Sequence, residues 1–164
     1  SSDDRTKSFI TDLYNSFSHF ENITFLIKER TNFKNDLSYL SNFNNINIHS
    51  GDIFSFLSET ELVIAGISDL SVLGMTVLDA ISLDIPSIYY TQNRSKKDLG
   101  YSYCKEMNDF TFKSITKLKK LIASYNDINE LFEEMRLRNK STKNLLGPNH
   151  GVIDKFVDFI IKLN

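Results

Sequence analysis

The chain has 164 residues, a formal charge of −2 at neutral pH and a pI near 5.9, enough for one domain that buries its own core without disulfides or bound metal. That charge balance offers no global attraction to phosphodiester backbones or anionic lipid, so nucleic acid is not an expected partner. Cys104 is the only cysteine, which excludes an intramolecular disulfide and a thiolate zinc cluster and fits a cytoplasmic protein; no run approaches the roughly 20 apolar residues of a membrane span, and Ser1-Ser2-Asp3-Asp4 is unlike a secretory leader.

Thr6 to His19 places Phe9, Ile10, Leu13, Tyr14 and Phe17 on one face of a helix that Asp3 or Asp4 can cap. Ile23 to Ile27 is a short, nearly continuous apolar run, closed by Lys28-Glu29-Arg30, and reads as a buried strand. Helical spacing returns over Asn35 to Phe43 with Leu37, Leu40 and Phe43, Asn44-Asn45 breaks it, and Ile46-Asn47-Ile48 gives a second strand. Gly51-Asp52 opens a short helix with Ile53, Phe54, Phe56 and Leu57 inward, and Glu61 to Gly66 is the strongest strand of the chain. Ser68 or Asp69 begins a helix through Val72, Leu73, Val77, Leu78 and Ile81 to about Leu83, after which Pro86 opens a strand over Ser87 to Tyr90. Thr91 to Cys104 is a polar, partly basic loop, Asp109 to Phe112 a weak edge strand, and Ile115, Leu118 and Ile122 mark an amphipathic helix. Asn126 caps a further helix with Ile128, Leu131, Phe132 and Met135, and a turn over Gly147 to Gly151 precedes a last helix with Ile153, Phe156, Val157 and Ile160 inward.

Strand and helix alternate at the spacing of βαβ units, whose crossovers are parallel and right-handed. The expected architecture is α/β, a three-layer α/β/α sandwich with a parallel Rossmann-like sheet. Ligands of such sheets bind beyond the carboxyl ends of the strands, where loops meet helix starts. That edge holds Lys28-Glu29-Arg30, His49-Ser50-Gly51-Asp52, Gly66-Ile67-Ser68-Asp69 and Thr91-Gln92-Asn93-Arg94. Taken singly, Ser50, Asp52, Ser68 and Asp69 read as caps. His49 reads as a loop residue with a satisfied ring, because no serine, cysteine or carboxylate stands at a recognisable catalytic spacing from it. No catalytic residue is assigned. His19, His49 and His150 lie far apart, and neither a Walker loop nor a Gly-x-Gly-x-x-Gly turn is present, so neither a metal nor an organic cofactor is expected.

Thr60 to Gly66, followed by Gly74-Met75-Thr76-Val77-Leu78-Asp79-Ala80-Ile81-Ser82-Leu83-Asp84-Ile85-Pro86-Ser87-Ile88, resembles the donor-binding segment of GT-B-type glycosyltransferases and related surface-polysaccharide enzymes. In that pattern an aspartate-containing strand leads to a small-residue helix start with Thr or Ser, then Glu-Ala, a glycine-x-proline turn and another strand. Ile23 to Arg30, Asn45 to Ser50, Ile115 to Ile122 and Gly147 to Ile161 are similar to further stretches of the same family. Departures are Asp79 for the family's glutamate, Asp84 for its glycine, and Lys28-Glu29-Arg30-Thr31 where a His-Pro follows its basic turn. The family's C-terminal half also opens with a strand and a glycine-rich turn, whereas this chain begins at the first helix.

The resemblance implies a single Rossmann-like domain over 1–164, the C-terminal half of a larger two-domain bacterial protein. Its function would be to bind the donor, a nucleotide-diphosphate sugar, for a glycosyltransferase of surface polysaccharide or glycoconjugate biosynthesis. An N-terminal acceptor-binding domain would complete the cleft, and any membrane contact would be peripheral and made through that half. The implied donor-binding residues are Thr76 and neighbouring amides for phosphate, Asp79 for the ribose, and Lys28, Arg30 or Arg94 for charge, with Ser68, Gly74, Gln92 and Asn93 also in the substrate-binding set. The alternatives are a nucleotide-sugar hydrolase or epimerase of the same superfamily, or a non-catalytic α/β module that docks another protein through an exposed sheet edge.

Overall fold

In the computed structural model, residues 2–28, 37–65, 75–91 and 106–146 are described. Helix α1 (Ser2–Phe17) starts four residues before the predicted Thr6, so Asp3 and Asp4 lie inside its first turn rather than at a cap. Asn22 takes the left-handed conformation at φ 59°, and this turn delays strand β1 to Phe25–Lys28, two residues later than the apolar run predicts, while Ile23 still packs against the core. Of the helix predicted over Asn35 to Phe43, Asn35 and Asp36 lie outside the described residues, and the described part is a 3-10 turn, Ser38–Asn42, with Leu40 buried. Leu37 before it makes no side-chain capping bond, and so short a segment does not nucleate an α-helix unaided. Asn45, at φ 60°, then reverses the chain into β2 (Ile46–His49).

The next elements follow the predicted order: α2 (Ile53–Ser58), β3 (Val63–Ala65), α3 (Met75–Ser82) and β4 (Ser87–Tyr90). A 3-10 turn at Glu106–Phe110 leads into β5 (Thr111–Phe112), so only the last part of the predicted edge strand is extended. Helices α4 (Ile115–Ala123) and α5 (Ile128–Leu146) complete the described chain. Asp127, not Asn126, caps α5, its carboxylate accepting from the Asn129 N–H at 2.9 Å. The last predicted helix lies outside the described residues.

The chain is thus mixed α/β; among the described residues every strand pair is parallel, and the strands form two sheets, β1-β2 and β3-β4-β5. Both sheets present matching faces to the same apolar clusters. Phe25 and Ile64 pack on the larger cluster, which includes Phe9, Leu13, Phe17, Ile88, Leu118 and Ile122. Leu26 packs on a smaller one built from Phe56, Leu57, Val63 and Ala80. Helix α1 touches both sheets, with Phe9 stacked on Tyr90 of β4 at 4.4 Å and Phe17 edge-on to Phe25 of β1 at 5.9 Å.

Every residue of β4 is buried, and β4 is flanked by β3 and β5. Strand β5 pairs only with Tyr89 and Tyr90, which leaves the start of β4 without a strand on that side among the described residues. Asn139 of α5 closes it: Oδ1 accepts from the Ser87 N–H at 2.7 Å and Nδ2 donates to the Ser87 carbonyl at 3.0 Å. A primary amide offers the same donor and acceptor pair as a peptide unit, so this side chain continues the ladder where the strand is missing. At the end of α3, Asp84 is left-handed at φ 66°, the Ile85 N–H donates to the Ala80 carbonyl at 2.9 Å, and the helix closes with a Schellman turn.

Candidate functional site

Lys28 is the last residue of β1 and stands in register with His49, the last residue of β2. Both therefore lie at the carboxyl edge of the smaller sheet. Beyond His49 the chain turns at once into α2, where Asp52 is the N-cap and its carboxylate accepts from the Phe54 and Ser55 N–H groups at 2.8 and 2.9 Å. The bond from the Ser55 amide, together with that from Phe54 and the nearby His49, holds the Asp52 carboxyl below its ordinary value, against a smaller opposing effect of desolvation. The predicted capping role of Asp52 is present.

The imidazole of His49 is hydrogen-bonded at Nε2 to Ser55 Oγ, 2.9 Å away. A Cβ at Gly51 would come within 2.6 Å of Ser55 Oγ and 2.7 Å of His49 Cε1, so the pair can close only across a glycine. The sequence reading found no partner for His49; the six-residue spacing across a strand–turn–helix, with glycine at the turn, was the available signal. This pair does not form a nucleophilic site from its own surroundings. The Phe54 and Ser55 N–H groups at the start of α2 are already bound by Asp52 and are not available to a developing oxyanion. The pair instead fastens the end of β2 to the start of α2.

On α3, Val77, Ala80 and Ile81 are fully buried, and Thr76 and Asp79, one turn apart, are both half-buried. The Asp79 carbonyl accepts from the Leu83 N–H and from Ser82 Oγ, but among the described residues its carboxylate has no hydrogen-bond or ion-pair partner. Of the predicted donor-binding residues, Lys28, Thr76 and Asp79 are described, whereas Arg30, Ser68, Gly74, Gln92, Asn93 and Arg94 lie outside the described residues, as does the predicted helix start at Ser68 or Asp69.

An open depression of about 340 Å³ is lined by Thr60, Glu61, Asp84, Pro86, Phe132 and Arg136, among others. It lies where β3 and β4 begin, the opposite end of these strands from the predicted ligand edge, and we assign it no role. Among the described residues no three metal-ligating side chains converge, and no helix is long and apolar enough to cross a membrane. Comparison of the chain with family models, with curated proteins and with solved structures gives no match.

Proposed function

We propose that this chain is the donor-binding half of a GT-B-type glycosyltransferase, taking a nucleotide-diphosphate sugar for surface-polysaccharide or glycoconjugate synthesis. The reading begins with the sheet. Set side by side with room for one strand between them, the two sheets run β2-β1-gap-β3-β4-β5, the order of a doubly wound Rossmann-like sheet whose first strand position is open. The shared clusters support this arrangement, because the pleat sends Phe25 and Ile64 to one cluster and Leu26 and Val63 to another. A three-layer α/β/α sandwich follows from it.

The observation that carries the functional reading is the half-buried Asp79 carboxylate, one turn from Thr76 on α3 and without a partner among the described residues. A carboxylate without an ion pair among the described residues, on the helix that follows β3, suits the two hydroxyls of a ribose. Thr76 in the first turn suits an adjoining phosphate oxygen. Lys28, at the end of β1, would supply positive charge to the diphosphate.

Titration of UDP-, CDP- and GDP-sugars against the chain and an Asp79→Ala variant, followed by amide chemical shifts, tests this. A charge-assisted hydrogen bond pair predicts a roughly ten- to hundredfold loss of affinity for the preferred donor in the variant. Equal affinities in both proteins remove Asp79 from the site and the reading with it.

A further inference from the structure

We infer that the outer face of α4 is a docking surface for a membrane rich in anionic lipid. The inference rests on neither the single-sheet arrangement nor the nucleotide-sugar reading, and it places membrane contact on this chain rather than on an acceptor-binding half. Helix α4 buries Leu118 and Ile122 completely against the core. Away from that stripe, Lys113, Lys117 and Lys120 are all exposed and follow the i, i+4, i+7 spacing that aligns side chains along one face. A fourth lysine, Lys119, pairs with Asp12 of α1 at 2.9 Å, so that acid of the neighbouring helix is already neutralised. Among the described residues the three outer lysines have no hydrogen-bond or ion-pair partner.

This arrangement lowers the stability of the helix that carries it. Like charges three and four residues apart repel, and Lys113 and Lys117 stand at the amino end, where the helix dipole favours acids. The first turn holds no acidic residue, and the N-cap Ser114 makes no side-chain capping bond. Charge is also segregated along the chain. Residues 113–126 carry Lys113, Lys117, Lys119 and Lys120 and no acid, whereas 127–134 carry Asp127, Glu130, Glu133 and Glu134 and no base. Two of those acids are paired within α5, Glu133 with Arg136 and Glu134 with Arg138. A chain of net charge −2 thus keeps one cationic helix face without local counter-charge.

The chemistry of the face selects the partner. Stable protein interfaces are anchored by aromatic, apolar or arginine side chains and are poor in lysine. The exposed positions of α4 are Thr116, Lys117, Lys119, Lys120 and Ala123, and the large exposed apolar residues all belong to other elements among those described. Reading or stacking on nucleic-acid bases needs arginine, amide or aromatic side chains, none of which is exposed on α4. Lysine is a compact, hydrated charge that binds without a fixed geometry, which suits a fluid layer of anionic headgroups. Each lysine close to such a layer strengthens binding about fivefold, so the three outer lysines together supply about a hundredfold.

Flotation of the chain with vesicles tests this, using pure phosphatidylcholine and a mixture containing one-third phosphatidylglycerol. Binding to the anionic vesicles is expected to be at least about tenfold stronger, and to weaken as salt rises from about 0.05 to about 0.5 M. The triple variant Lys113→Gln/Lys117→Gln/Lys120→Gln is expected to lose about a hundredfold and Lys117→Gln alone about fivefold, whereas Lys140→Gln, at an exposed lysine of α5, changes binding less than about twofold. Thermal melts accompany the flotation: the outer-face variants melt at or above the parent, because they remove like-charge repulsion, so lost binding is not lost fold. Equal binding of the parent to both vesicles, parent-like binding by the triple variant, or the same loss in Lys117→Gln and Lys140→Gln overturns the inference. Binding of a short DNA duplex as tightly as the anionic vesicles at the same salt also overturns it, since the face then takes polyanions in general. None of these outcomes bears on the Asp79 titration.

Discussion

Replacing Asn139 with leucine removes the amide that stands in for a strand at the start of β4 while keeping a side chain of similar reach. Asn139 is 4% exposed and Ser87 is fully buried, so water does not take over the lost bonds without opening the contact between α5 and β4. Each orphaned backbone group costs about 1–3 kcal/mol, and leucine recovers part of this through apolar burial, which leaves a net loss of about 2–4 kcal/mol. In a chain of this size that corresponds to a fall of about 4–16 °C in melting temperature. Urea unfolding followed by circular dichroism reads the same loss as a lower midpoint at unchanged slope. A leucine variant within about 0.5 kcal/mol of the parent refutes the reasoning, since a buried, unpaired peptide group is not that cheap.

Asp84 occupies the left-handed position that closes α3, at φ 66°, and its exposed carboxylate pairs with Lys143 at 2.5 Å. A surface pair of this kind contributes about 0–1 kcal/mol. Relief of left-handed strain is of similar size or larger, so Asp84→Gly is expected to match or exceed the parent in stability and Asp84→Ala to fall about 1–2 kcal/mol below the glycine variant. Urea midpoints placing alanine at or above glycine contradict this. Asp52 gives a pH signature: its carboxyl is lowered in the folded chain, chiefly by the Ser55 amide. Its stabilising contribution is therefore present above the ordinary carboxylate range and lost as pH falls through the lowered value. The stability gap between the parent and Asp52→Ala should narrow on acidification from about pH 6 to about pH 2.5, and a gap constant across that range counts against the capping role.

Where burial on both faces or a strong amphipathic period governed an element, its residues announced it. Ser87 to Tyr90 and Ile115 to Ile122 fall where the apolar pattern puts them, and Pro86 stands just ahead of β4, its carbonyl still receiving the Val63 N–H. Elements set by turns were harder to place. Asn22 adopts left-handed backbone, and this position, not the hydrophobic pattern, decides where β1 begins, whereas the left-handed Asn45 belongs to the Asn44-Asn45 break that the sequence does mark ahead of β2. Asn139 was invisible to pattern reading because it sits in the apolar register of α5 with Leu131 and Met135, and only the unpaired start of β4 explains why an amide belongs there. The His49–Ser55 bond was missed for a related reason. It depends on Gly51 allowing close approach, a steric condition that residue spacing does not express.

The division of the sheet and the placement of the candidate site have a common geometry. From the open position the chain proceeds through β1 to β2 on one side and, after α2, through β3, β4 and β5 on the other. A reversal of strand order leaves adjoining loops diverging to opposite faces, and the crevice between them is where doubly wound sheets take ligands. In the arrangement proposed here, Lys28 ends the strand on one side of that point, while α3, carrying Thr76 and Asp79, follows the strand on the other. In that arrangement the described residues bring one lysine, one threonine and one carboxylate toward the crevice. Phosphate recognition by so few side chains is weak without backbone N–H donors beside them, because each amide is already oriented and carries no rotamer entropy to lose.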